Sequence, residues 1–144
     1  MLTRAEARYV ITEITRLPLY KELLEKYKGI LVRFDERKRS LSEPNCPQGH
    51  EVIGSRGNEF KSNDAILADI VTREAETREK FERIEGAKHR AEMYYESLVM
   101  YSDDSQFVTD YFNAKNKVTL CEAYYISNPY DYMIRVVMHT ITEI

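Results

Sequence analysis

Along nearly the whole chain apolar residues recur at three- and four-residue intervals, the spacing that gathers them on one face of an α-helix. The first run, Tyr9, Val10, Ile14 and Leu17, follows "TRAE", where Thr3 and Glu6 stand at capping-box spacing. It predicts an amphipathic helix of about four turns that Pro18 ends or kinks. Proline is tolerated in a first helical turn, so a second helix is expected to start at once. That helix carries Leu19, Leu23, Tyr27, Ile30, Leu31 and Phe34 on one face and ends near Arg39.

From Leu41 to Lys61 the periodicity dissolves into "LSEPNCPQGHEVIGSRGNEFK", whose prolines, glycines and Ser/Asn punctuation predict a long loop. "SNDA" then opens a third helix, with Ser62 or Asn63 as N-cap and Asp64 near the positive end of the helix dipole. Ile70, Thr77, Phe81, Ile84, Ala91, Tyr95 and Leu98 keep the spacing to about Met100, interrupted by Glu74 and Lys88. The rest of its surface mixes both charge signs, as a solvated face with i,i+4 pairs does. Gly86 is its weak point.

Three shorter helices are expected to close the chain. The first has Ser102 as cap, Asp103 and Asp104 in its first turn, and Phe107, Val108, Tyr111 and Phe112 inward. "NAKN" is the following turn, and "KVTLCEAYYI" points Val118, Cys121, Ala123 and Tyr124 or Tyr125 inward. After the corner "SNP", Pro129 suits the first helical position and Asn128 with Asp131 repeats the capping-box spacing. The last helix is expected to run to Ile144. The fold class is therefore all-α: a long, coiled-coil-like helical hairpin over 1–101, followed by a helix-turn-helix-like subdomain over 102–144.

Composition narrows the classes. Of the 144 residues 43% are hydrophobic and 31% charged, which suits a folded helical chain and excludes a wholly disordered one. No apolar run approaches the roughly 18 residues of a membrane span, and the N-terminus lacks a secretory pattern, so a cytoplasmic location is expected. Cys46 and Cys121 form neither a CxxC pair nor a disulfide framework. Within "NCPQGH", Cys46 and His50 have the chemistry of zinc ligands, but a structural site takes four and no spacing supplies the others. No metal and no cofactor are expected. The motifs of phosphate-binding loops, dinucleotide folds, zinc proteases and serine hydrolases are all missing, and capping accounts for Asp103 and Asp104. The reading is not an enzyme.

Helix-turn-helix grammar asks for a small residue in a first helix, a tight corner, and a second helix with an exposed face for the major groove. Ala123, Ile126 and "SNP" fill the first two roles. With Ile134, Val137 and Ile141 as the buried stripe, Pro129, Tyr130, Asp131, Met133, Arg135, Val136, His139 and Thr140 are expected to face outward. Over 102–144, three Lys and Arg stand against six Asp and Glu, so cation supply for phosphate contacts is thin.

The stretches "ITRLPLYKELLEKYKGILV", "SNDAILADI" and "DDSQFVTDYFNAKNKVTLCEAYYISNPYDYMIRVVMHTITEI" together resemble the RinA/ArpU-type regulators of phages of Gram-positive bacteria. The likeness covers nearly the full chain and lies in the order of elements, the "QF" helix with "YF", the "A-x-x-I-S" corner and the closing "ITEI". It implies a small helical transcriptional regulator that binds promoter DNA through a sigma-factor-like C-terminal helix-turn-helix. In those proteins the helix after the corner carries a hydroxyl residue and several Arg or Lys, whereas the matching positions here are Tyr130, Met133, Val136 and Val137.

Two expectations follow. In the first, a dimer joined through the long helix binds promoter DNA. Arg135, Tyr130 and His139 approach the groove, and Lys115, Lys117, Arg37, Lys38 and Arg39 hold phosphates. In the second, the same scaffold modulates a host or phage protein through an exposed strip of Tyr132, Met133 and Val136.

Overall fold

The computed structural model describes residues 1–42 and 62–144. Those residues form six α-helices and no strand: α1 Arg4–Thr15, α2 Leu17–Ser42, α3 Asn63–Tyr101, α4 Ser105–Asn113, α5 Val118–Tyr124 and α6 Pro129–Thr140. The all-α expectation holds. No helix among the described residues is long and apolar enough to cross a membrane. Cys46 and His50, the pair weighed as zinc ligands, lie outside the described residues.

Local chemistry sets several helix ends. Thr3 accepts from the Glu6 N–H while Glu6 accepts from the Thr3 N–H, both at 3.2 Å, a complete capping box for α1. The break between α1 and α2 falls at Arg16, which leaves Pro18 in the first turn of α2, where its missing N–H costs nothing. At α6, Asn128 accepts from the Asp131 N–H at 3.2 Å with Pro129 at the first position. Ser102 departs from expectation. Its hydroxyl accepts from the Asp104 N–H at 3.0 Å in the bend before α4, so Asp103 and Asp104 precede that helix instead of lying in its first turn.

The chain divides into two compact units, Met1–Lys21 with Glu85–Ile144, and Glu22–Ile84. This division does not follow the expected 101/102 boundary, because α1 packs on α6 and joins the C-terminal helices in one core.

In the first unit Ala7, Val10, Ile11 and Ile14 of α1 meet Leu98 of α3, Phe107, Val108 and Tyr111 of α4, Leu120 of α5, and Met133, Ile134, Val136 and Val137 of α6. The Phe107 ring stands edge-on to Tyr124 and Tyr132, with centroids 5.1 and 4.7 Å apart, arrangements that aromatic quadrupoles favour. Glu13 is buried yet satisfied, accepting from the Tyr20 hydroxyl at 2.6 Å and standing 3.6 Å from Arg16. Leu120 is the buried residue of α5, whereas Val118, expected inward, is 66% exposed.

In the second unit the half-buried positions of α2 are Leu23, Leu24, Tyr27, Gly29, Ile30, Leu31, Phe34, Lys38 and Leu41. Those of α3 include Ile66, Leu67, Glu74, Thr77, Phe81 and Ile84, and Ile70 alone among the described residues of this unit is buried. Lys38 Nζ joins the two helices by an ion pair of 2.8 Å to Glu74. The hydrogen bond to Glu74 raises the Lys38 pKa.

Candidate nucleic-acid interface

The α5–α6 corner is built from the backbone outward. Tyr125 ends α5 in the left-handed region at φ 56°, its N–H and that of Ile126 both donating to the Cys121 carbonyl. The Ile126 bond is the 6→1 bond of a Schellman motif and the Tyr125 bond is the 5→1 bond of an αL cap, ends that usually place glycine at the left-handed residue with an apolar contact beside it. Ile126 supplies the apolar contact and packs against the core. Tyr125 occupies the glycine position with its side chain 95% exposed. Ala123, assigned as the small residue of the first helix, is exposed.

The structure corrects the outward face of α6. Met133 is fully buried and Val136 nearly so, because α1 covers one side of the helix while α4 and α5 close the other. The expected strip of Tyr132, Met133 and Val136 therefore is not a surface, and Tyr132 is half-buried at its edge. Met133, Ile134, Val136, Val137 and Ile141 share one broad arc, which sequence spacing alone had divided into an inner and an outer half. The helix also stops at Thr140, leaving 141–144 outside helical structure with Ile141 buried.

The sequence-derived cations fall in several places. Arg135 and His139 are exposed one turn apart and line a shallow cleft of about 250 Å³ together with Ser102, Asp103, Asp104 and Tyr132. Arg135 also borders a second cleft of about 260 Å³ formed by the corner residues and Asp131. Tyr130 lies about 140° around the helix from Arg135 at 3.6 residues per turn, electrostatically coupled to Tyr111, and so does not join that group. Lys115 is exposed between α4 and α5. Lys117 is committed elsewhere: its ammonium donates to the carbonyls of Tyr111 and Ala114, capping α4, and sits 4.2 Å from the centre of the Tyr111 ring. Burial lowers its pKa. Arg37, Lys38 and Arg39 belong to the other unit, where Arg37 and Arg39 are exposed and Lys38 is paired with Glu74 and Asp35.

Around Arg135 the electrostatics are mixed. Asp131 is neutralised by a direct ion pair with Arg4 of α1, whereas Asp103 and Asp104 face the Arg135 cleft. Burial, and then a hydrogen bond to Asp104, push the Tyr132 hydroxyl pKa up. The first unit carries nine Lys and Arg against eleven Asp and Glu. Sequence reasoning missed Arg4, which is 127 residues from its partner, and missed that Asp103 and Asp104 would lie beside Arg135; no local spacing signals either contact. Among the described residues no group of three or more His, Cys, Asp and Glu side chains is placed to hold a metal ion.

No family model, curated protein or solved structure matches this chain.

Proposed function

We propose that α5, the Tyr125 corner and α6 act as the helix-turn-helix of a phage or prophage transcriptional regulator that engages promoter DNA as a pair of copies. The observation that carries this reading is the exposed face of α6, where Arg135 and His139 follow the Tyr125 corner and are backed by a closed core. Arg is the side chain best fitted to a bidentate contact with a guanine edge in the major groove. Lys115 reaches toward phosphate from the loop before α5. With so few cations per copy, counterion release gives little affinity to one copy, and two copies reading adjacent half-sites supply the rest.

Selection from a random-sequence duplex pool at low ionic strength, followed by fluorescence anisotropy, tests the reading. The expected result is an enriched two-fold sequence, bound with a shallow salt dependence and weakened about tenfold or more by Arg135→Ala. Absence of enrichment, or binding indifferent to Arg135→Ala, defeats it. Asp103 and Asp104 beside Arg135 favour a second reading, in which this cleft receives a basic segment of a host or phage protein. Its mark is a protein partner that Asp103→Asn with Asp104→Asn releases while Arg135→Ala does not.

A further inference from the structure

We propose that the second unit is a self-association surface, on which the α2 and α3 segments of one copy pack against the same segments of a second copy to form a four-helix bundle. The inference rests on the preceding reading only for what the pairing serves; its evidence is the shape of the apolar faces.

In α3, Leu67, Glu74 and Phe81 alternate with Asn63, Ile70, Thr77 and Ile84 at four- and three-residue steps, the two core positions of a heptad. In α2, Tyr27, Phe34 and Leu41 alternate with Leu23 and Ile30 in the same way. Those two rows are all that a seam between two helices uses. The Lys38–Glu74 ion pair engages the seam at Glu74, the kind of polar contact that sets register between paired helices.

The apolar pattern is wider than the seam. On α2, Leu24 and Leu31 are half-buried one position beyond the Leu23–Ile30 row, which broadens the stripe to the width of a helix facing more than one neighbour. On α3, Val71 occupies the equivalent flanking position and is 52% exposed, with Ala68 and Ala75, also exposed, on either side of it. When two helices pair in opposite directions these flanking rows fall on the same side. Leu24, Leu31, Ala68, Val71 and Ala75 then form one continuous apolar face, and the small alanines let another helix approach closely.

Charge selects a second copy as the occupant. Residues 22–42 carry six Lys and Arg against four Asp and Glu, and residues 63–84 carry four against six, so the segments have net charges of +2 and −2. Two-fold docking lays each basic α2 segment against the acidic α3 segment of the other copy, a self-complementary contact. The footprint is adequate: about 21 residues of helix are roughly 30 Å long and two helices roughly 20 Å wide, close to the ~800 Å² per partner of a stable interface. Among the described residues of this unit only Ile70 is buried within one copy, and the second copy covers the face that one copy leaves open.

Sedimentation velocity of the full chain from low to high micromolar concentration tests the proposal. The expected species is a dimer. Val71→Glu with Ala75→Glu should raise its dissociation constant about a hundredfold or more, because each copy would bury unpaired carboxylates. Both positions are exposed within one copy, so circular dichroism should remain helical. Leu24→Met with Leu31→Met should leave the dimer intact. A chain that stays monomeric throughout, assembles beyond a dimer, or dimerises equally with both glutamates present overturns the proposal. The DNA reading fails separately: Arg135→Ala should weaken sequence-specific binding about tenfold or more while the dimer persists, and the glutamate variant should weaken DNA binding only through loss of the second copy.

Discussion

Two regions of one chain share the same helical periodicity and use it differently. In the unit made of Met1–Lys21 and Glu85–Ile144, fifteen residues contribute to a buried cluster, whereas Ile70 is the one buried residue described in Glu22–Ile84. The difference lies in the number of neighbours. In the first unit α6 is flanked by α1 on one side and by α4 and α5 on another, so nearly half its circumference is sealed. In the second, the described helices are the α2 and α3 segments, and a pair of helices closes only the seam between them. Periodicity specifies which face turns inward; the number of elements meeting that face decides how completely it is buried.

The largest effect that tests this contrast comes from truncating one buried residue in each unit. Phe107→Ala removes a fully packed ring with three aromatic neighbours, and should cost about 3–5 kcal/mol. Ile70→Ala, among half-buried neighbours able to collapse around the gap, should cost about 2 kcal/mol or less at low protein concentration. Urea denaturation measures both costs. Hydrogen exchange adds the local view, with amides of residues 22–42 and 63–84 expected to open at lower free energy than those of α1 and α6. Equal costs for the two substitutions in the monomer would break the contrast, because the second unit would then hold a closed core of its own.

The sequence carried the capping box at Thr3, the Asn128 cap, the restart at Pro18 and the extent of α3 because each depends on residues within one or two helical turns. It did not carry the burial of Met133 and Val136. Those positions look outward when Ile134, Val137 and Ile141 are assigned to the core, and it takes α1, over a hundred residues away, together with α4 and α5 to turn them inward. The role of Lys117 was hidden for a similar reason: a lysine following "NAKN" reads equally as a phosphate contact or as a cap for the preceding helix, and the choice depends on where the chain bends. Arg4, Asp103 and Asp104 around α6 are likewise products of tertiary packing. The helical periodicity and the break before Pro129 were legible, while the electrostatic setting of Arg135 was not.

A smaller effect sharpens the contrast at the corner of the well-packed unit. Tyr125 adopts φ 56° with its ring in solvent, so the backbone bears left-handed strain without burial to offset it. Tyr125→Gly relieves that strain, although it gives the unfolded chain more freedom, and the net change should be a stabilisation of up to about 1 kcal/mol. Thermal denaturation measures it. A destabilised variant would show that the ring supports the corner. If stability rises while duplex binding falls, the exposed ring belongs to the binding surface, and its strain is a local cost retained for contact.

The smallest effect concerns pH and acts on one side of the contrast. Tyr20, Tyr94, Tyr111, Tyr124 and Tyr132, the tyrosines with hydroxyl pKa values pushed up, all belong to the first unit. Tyr124 is the clearest case: a hydrogen bond to the Asp110 carboxylate, followed by burial and the nearby negative charge, pushes its pKa from 10.0 up to about 12. The folded state therefore holds this proton more tightly than the unfolded chain. The stabilisation is fully present below pH 10 and disappears as pH rises from about 10 through about 12. Tyr124→Phe removes the titrating group, so the stability gap between wild type and variant should narrow across that interval. Thermal melts at stepped alkaline pH, read by near-ultraviolet circular dichroism, follow the packed aromatics of the first unit. A gap that stays constant through pH 12 would mean that the Tyr124–Asp110 contact does not contribute to folding in solution, leaving the hydrophobic cluster to hold α4 against α5.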